Sequence, residues 1–255
     1  MSPIFDADGS AASGRERHLA GQTLVVIGGS SGIGLEAARQ ARGYGAHVIV
    51  TARDPERVHR VGLELEASIA AFDATDPERL ARFFDAIPVP IEHVLVTVPS
   101  PHPVPEADPD AELGGDLEAH ISLLLQIART AASTVRPGGT LSFIGCTRGP
   151  GSPERPESIA GPAAALRTMT EELAIELAPI RVNLIMAGFV DTPLSAAILG
   201  DRLDARRAEL RSMLPIRRVV GPADVAALAV HLMTNTAVTG AIFDIDGGQK
   251  LVERP

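Results

Sequence analysis

Thr23-Leu24-Val25-Val26-Ile27-Gly28-Gly29-Ser30-Ser31-Gly32-Ile33-Gly34 is the stretch that decides the fold. The run Thr23–Ile27 predicts a strand covered on both faces, because it is apolar throughout rather than alternating. Residues 32–44 follow with a helical pattern, and Gly45 is placed to stop that helix. The turn between them is rich in glycine, which permits positive φ and close backbone approach, and the helix start offers unpaired N–H groups and a partial positive charge. Such a unit cradles a pyrophosphate; a tight strand-to-helix connection without a ligand would use the same residues. Gly28, Ser30, Ser31, Gly32, Ile33 and Gly34 are the candidate contacts.

The rest of the chain repeats the alternation. Strand patterns at 47–51, 69–72, 94–98, 140–144, 182–185 and 241–245 are separated by helical patterns. One opens at Pro55 and one behind Asp76-Pro77-Glu78, and others cover 117–135, 162–177, most of 192–213, and 223–234. Proline- and glycine-rich stretches at 99–110 and 145–156 read as surface loops. Alternating β and α elements predict an α/β fold: a single doubly wound Rossmann-type domain over 21–255, with a parallel sheet of about seven strands and helices on both faces. Residues 1–20 are expected to form a flexible N-terminal arm.

Composition narrows the function. The net charge of −9 disfavours a nucleic-acid binder. No apolar run reaches membrane-spanning length, and the first 20 residues lack the apolar core of a secretory signal. The single cysteine, Cys146, excludes an internal disulfide and a cysteine-based metal cluster; it fits a reducing compartment, and a cytoplasmic location is expected. The chain has one tyrosine, Tyr44, no tryptophan, and a single lysine, Lys250, among 23 basic residues. Chemistry that needs a Tyr–Lys pair on one helix is therefore excluded.

The spacing G-x-x-x-G-I-G from Gly28 to Gly34 resembles the glycine motif of the short-chain dehydrogenase/reductase family, with Ile27 where that motif usually has Thr. The resemblance extends over about residues 19–252. It is carried by Leu19–Ile27, by Arg181-Val182-Asn183, and by Gly188-Phe189-Val190-Asp191-Thr192-Pro193. Asp224-Val225-Ala226 and Thr239-Gly240 through Asp246-Gly247-Gly248 complete it. It implies a nicotinamide cofactor. Ala52 stands where NAD-type members carry Asp, and Arg53 follows where NADP-type members carry a basic residue; a guanidinium pairs with a 2′-phosphate through its planar fork. NADP(H) is therefore expected over NAD(H), although Arg53 could instead pair with Asp54 on the surface. The same frame implies Asp73, Ala74, Val98, Val190 and Thr192 as cofactor contacts. Asp73 also suits a turn before a helix, and Thr192 a helix N-cap.

The family's proton chemistry is missing from this frame. Ile159 falls at the Tyr position, Ala163 at the Lys position, Cys146 at the Ser position and His120 at the Asn position. The usual Asn-Asn-Ala-Gly after the fourth strand is Thr97-Val98-Pro99-Ser100, and the Pro-Gly of the nicotinamide loop is Ala187-Gly188. One reading is an NADP(H)-dependent oxidoreductase with a non-standard active site. Cys146 and His120, which titrate in a usable range, would be its acid/base candidates, and its substrate would be a small apolar carbonyl, imine or enone. Alternatives are a catalytically inactive NADP(H)-binding sensor or partner subunit, and a scaffold whose cofactor site is vestigial. The substrate pocket is expected from 99–105, 145–157 and 189–213, with His102 and Arg148 as polar candidates. The resemblance also implies a homodimer or homotetramer built on the helices at 117–135 and 162–177, with no membrane or nucleic-acid partner and no metal.

Overall fold

Thr23–Ile27 forms β1, fully covered on both faces, and its side chains divide by parity. Val25 and Ile27 enter one core, whereas Leu24 and Val26 enter the other. This two-sided burial is why the strand reads as a continuous apolar run. The structure, a computed structural model, describes residues 18–99, 113–146 and 157–252.

In chain order the elements are β1, α1 (Gly32–Gly43), β2 (His47–Ala52), α2 (Pro55–Leu65), β3 (Ser68–Ala71), α3 (Pro77–Asp85), β4 (Ile91–Val96), α4 (Leu113–Ala132) and β5 (Val135–Cys146). There follow α5 (Glu157–Glu176), β6 (Arg181–Ala187), α6 (Pro193–Leu199), α7 (Leu203–Met213), α8 (Pro222–Thr234), β7 (Ile242–Ile245) and the short α9 (Gln249–Val252). The seven strands lie in the order β3-β2-β1-β4-β5-β6-β7, and every pairing is parallel. The expected doubly wound sheet is therefore present. Leu80 and Phe84 of α3, Leu123 to Ala131 of α4, and Leu166 to Leu173 of α5 cover one face. Residues of α1, α2 and α8 cover the other.

Several boundaries differ from the sequence reading. The fourth helix spans 113–132 rather than 117–135. Ser133 and Thr134 turn their hydroxyls back onto the carbonyls of Thr130 and Ala131 (2.9 Å each), which ends the helix and frees Val135 to open β5. β5 in turn begins before residue 140: Val135 pairs with Ile91, the chain bulges through Gly138, and pairing resumes at Thr140 opposite His93. α5 starts at Glu157, not 162, so position 162, a proline with no backbone N–H to donate, lies inside the helix. Of the expected arm, residues 1–17 lie outside the described residues. Residues 18–20 belong to a turn that buries Leu19 completely and ties its N–H to the Tyr44 carbonyl.

Candidate functional site

Parallel pairing puts the C-terminal ends of β1, β2, β4, β5 and β6 along one edge of the sheet, where the glycine turn also lies. Gly28 takes φ +93° and Gly32 φ +55°, backbone that only glycine adopts without strain. The N–H groups of Gly28 and Gly29 both donate to the Thr51 carbonyl at 3.0 Å, which locks the turn to β2. Gly28 therefore serves through its conformation and bare α-carbon, not through its amide. Bare α-carbons are also needed further on. A Cβ on Gly29 would meet Val50 Cγ1 at 2.8 Å, and one on Gly34 would meet Thr97 Oγ1 at 2.6 Å and the Gly28 carbonyl oxygen at 2.7 Å.

The helix that follows is left open at its start. Ser31 is the N-cap of α1 but makes no capping side-chain hydrogen bond, and the first turn has no acidic residue. The neighbouring helices are finished differently. Asp54 caps α2 by accepting from the N–H groups of Glu56 and Arg57, and Asp76 caps α3 in the same way; each has Pro and Glu in the first turn. The sequence thus supplies its own anions to the positive ends of α2 and α3 and none to that of α1.

Arg53 stands just past the end of β2, exposed, with no hydrogen bond or ion pair to any described residue. Asp54 is engaged elsewhere, in the cap of α2 and in a 3.2 Å ion pair with Arg57; the backbone N–H of Arg57 holds its carboxyl below the usual range. Asp73 accepts from both the N–H and the hydroxyl of Thr75 (3.0 and 2.9 Å). These bonds, the backbone one first, with the nearby Arg53 charge, keep its carboxyl low. Asp73 thus forms the turn that a helix-leading residue suggests, and it also lies near Arg53. Ala74 is buried, and Val98 is half-buried against the core behind β4.

Across the turn lies the segment 188–192. Gly188 N–H donates to the Ile245 carbonyl, Phe189 N–H to Gln249 Oε1 (3.0 Å), and Asp191 N–H to Val220; Val190 bridges to Val220. Thr192 caps α6 through Ser195 in a reciprocal capping box, which is the N-cap role open to it from sequence. It also faces the glycine turn, since a Cβ on Gly32 would meet its Cβ and Cγ2 at 3.5 Å. Arg207 makes a two-pronged ion pair with Asp191 (2.7 and 3.0 Å), fixing α7 to this segment. Sequence reading singled out neither Gln249 nor Arg207, and named Thr97 only as a departure from the family's Asn-Asn-Ala-Gly; their partners lie 16 to 70 residues away and no periodicity marks them.

Cys146 is exposed at the end of β5, opposite Ala187 of β6. His120 is half-buried in α4, which packs against β5. Ile159 and Ala163 fall in the first two turns of α5, four residues apart; their side chains lie outside the described residues, as do His102 and Arg148. Tyr44 follows the last residue of α1, twelve residues beyond Gly32, and therefore near the opposite edge of the sheet by about 18 Å of helix. Lys250 pairs with Asp244. Among the described residues no cluster of three metal-ligating side chains occurs, and no helix is long and apolar enough to cross a membrane.

Comparison with known proteins agrees with this geometry. Residues 109–250 match the family model described as enoyl-(acyl carrier protein) reductase, and residues 22–99 match that of short chain dehydrogenase. Galactitol 2-dehydrogenase (L-tagatose-forming) of Cereibacter sphaeroides is 30% identical, over 90% of this chain and 95% of its own. Short-chain dehydrogenase/reductase ATR9 of Stachybotrys chlorohalonatus is 28% identical, over 89% and 96%. A solved small-chain dehydrogenase in complex with NADPH superposes with a TM-score of 0.71 at 26% identity, covering 90% of this chain and 99% of the other. With the parallel sheet, the glycine turn and these matches together, the chain belongs to the short-chain dehydrogenase/reductase family of oxidoreductases.

Proposed function

We propose that this chain is an NADP(H)-dependent oxidoreductase whose proton chemistry does without the family's Tyr–Lys pair. The observation that carries the reading is Arg53, without a hydrogen bond or ion pair to any described residue and at the same sheet edge as the uncapped start of α1, with its neighbour Asp54 consumed by the cap of α2. A free guanidinium at the end of β2 suits a 2′-phosphate, and the N–H groups of Gly32, Ile33 and Gly34 with Ser30 and Ser31 suit the pyrophosphate. Asp73, Ala74 and Val98 would border the adenine side, and Val190 and Thr192 the nicotinamide side. The NADPH named in the complex of the solved relative fits the same assignment.

A reduced nicotinamide, held there by these residues, would supply a hydride. What the chain must add is a proton at the substrate heteroatom, and Cys146 and His120 are the side chains assigned to it. An iminium or conjugated enone places little demand on that proton, so a small apolar imine, enone or carbonyl is the preferred substrate class. The same missing Tyr–Lys pair favours one other reading, an NADP(H)-binding sensor or partner subunit that performs no chemistry. The helices α4 and α5 are assigned to a homodimer or homotetramer interface, and a reducing cytoplasm suits the exposed thiol.

Titration with NADPH and NADH, followed by nicotinamide fluorescence, tests the cofactor assignment. NADPH is expected to bind more tightly. Arg53→Ala is expected to weaken NADPH about 30-fold while leaving NADH within about twofold, the loss of one or two charge-assisted hydrogen bonds. Equal affinities in the native chain would overturn the NADP(H) assignment. Turnover on a carbonyl, imine and enone panel, lost in the Cys146→Ala/His120→Ala double variant, separates the enzyme from the sensor.

A further inference from the structure

We propose that Thr97 is a positioning residue of the phosphate cradle, holding the glycine turn in its binding shape from the neighbouring strand. The inference rests on the nucleotide-binding reading above and extends it to a residue outside the glycine motif. Ile27, the last residue of β1, is fully buried and offers no hydroxyl to the turn behind it. The hydroxyl comes instead from Thr97, one residue past the end of β4. Its backbone N–H extends the β1–β4 ladder to the Ile27 carbonyl at 2.9 Å. Its Oγ1 reaches two carbonyls of the turn, Ile27 at 3.2 Å and Gly28 at 3.0 Å.

The second of these contacts matters most. At φ +93° the Gly28 peptide has left the ladder, and among the described residues the Thr97 hydroxyl is the donor its carbonyl has. The same oxygen fills the space that glycine leaves at position 34, since a Cβ there would lie 2.6 Å from it. One hydroxyl thus touches both arms of the turn: Gly28 where the chain leaves the sheet, and Gly34 where it has entered α1. The open N–H groups that would meet a pyrophosphate lie between those two points. Fixing both arms sets the direction of those groups before any ligand arrives, so removing the hydroxyl should cost binding rather than fold.

Thr97→Val keeps the shape and deletes the donor; Thr97→Ser keeps the donor. In the ligand-free protein, hydrogen exchange of the amides at 28–34 is expected to quicken at least fivefold in Thr97→Val, with the strands β5 and β6 unchanged. NADPH affinity is expected to fall about tenfold, as for one lost hydrogen bond at an ordered turn. Adenosine 2′-monophosphate, which has no pyrophosphate, is expected to keep its affinity within twofold. Thr97→Ser should restore NADPH binding to within about threefold of the native chain. Unchanged exchange at 28–34, or equal losses for NADPH and adenosine 2′-monophosphate, would overturn the role. A native chain that binds neither nucleotide overturns the nucleotide-binding reading and the cradle with it. A native chain that binds NADPH while Thr97→Val matches it overturns the role of Thr97 alone.

Discussion

Replacing Arg181 by methionine is expected to lower the free energy of unfolding by about 4 kcal/mol, among the largest single-residue losses this fold can show. Arg181 opens β6 and is 7% exposed. Its Nη1 donates to the carbonyls of Leu232, Asn235 and Val238 (2.8, 2.9 and 3.2 Å), and its Nη2 donates to Met233 (2.9 Å). α8 ends at Thr234, so these carbonyls belong to its last turn and the chain just beyond. The guanidinium satisfies them together and sets a positive charge at the negative end of the helix. Methionine fills much of the same volume but takes away the donor that Leu232, Met233 and Asn235 share, at about 1–3 kcal/mol for each that water does not reach, while the Val238 carbonyl keeps the Asn183 side-chain amide at 3.1 Å. Urea unfolding should show a lower midpoint with an unchanged slope. A change under 1 kcal/mol would mean that water replaces the guanidinium freely. The consequence for function is indirect: β6 leads into the 188–192 segment, so the whole wall facing Gly32 depends on this anchor.

Acidification from pH 7.5 to 4 is expected to cost about 3 kcal/mol through His93 alone. His93 is buried between β1 and β5, in one row across the sheet with Thr140 and Arg181. Its Nε2 donates to Gln22 Oε1 at 2.6 Å, and its Nδ1 accepts from the Thr140 hydroxyl at 2.8 Å, so both ring nitrogens are satisfied in the neutral form. Burial first, then the Arg181 charge, push its pKa down to about 4, with Glu92 opposing them weakly. The folded pKa thus lies below the unfolded value near 6.5. Below pH 6.5 the unfolded chain takes up a proton that the folded one refuses, and stability falls until the folded ring also protonates near pH 4. Above pH 6.5 neither state carries the proton and the contribution is complete. His93→Gln retains a hydrogen-bonding side chain without titrating. The difference between the native and variant unfolding free energies should therefore shrink by about 3 kcal/mol between pH 7.5 and 4. A constant difference would show that His93 titrates alike in the folded and unfolded chain, so that burial does not hold the folded ring neutral.

Much of the architecture was legible in the sequence because it depends on local pattern. Runs such as 24–27 and 184–187 are apolar at every position since both faces of a central parallel strand are covered, and Asp54-Pro55 and Asp76-Pro77 mark helix starts by their own capping chemistry. Boundaries failed where side chains compete with backbone: Ser133 and Thr134 end a helix that hydrophobic periodicity would carry on to Val135. The position of the glycine turn relative to Arg53 was legible as well, because both lie within one strand–helix–strand unit.

By itself the sequence determined the parallel α/β fold, the place of the glycine turn and the absence of a Tyr–Lys pair, since these follow from periodicity, glycine spacing and residue count. Only the tertiary structure decided which polar groups are spent and which are open. It committed Asp54 to a helix cap and left Arg53 without a partner among the described residues, gave the Gly28 and Gly29 amides to Thr51, and set the Thr97 hydroxyl against the turn from a strand 70 residues away. The physical reason is that a hydrogen bond is a property of two groups in space. Residue type states that a donor exists, and only the packed sheet states which acceptor it meets.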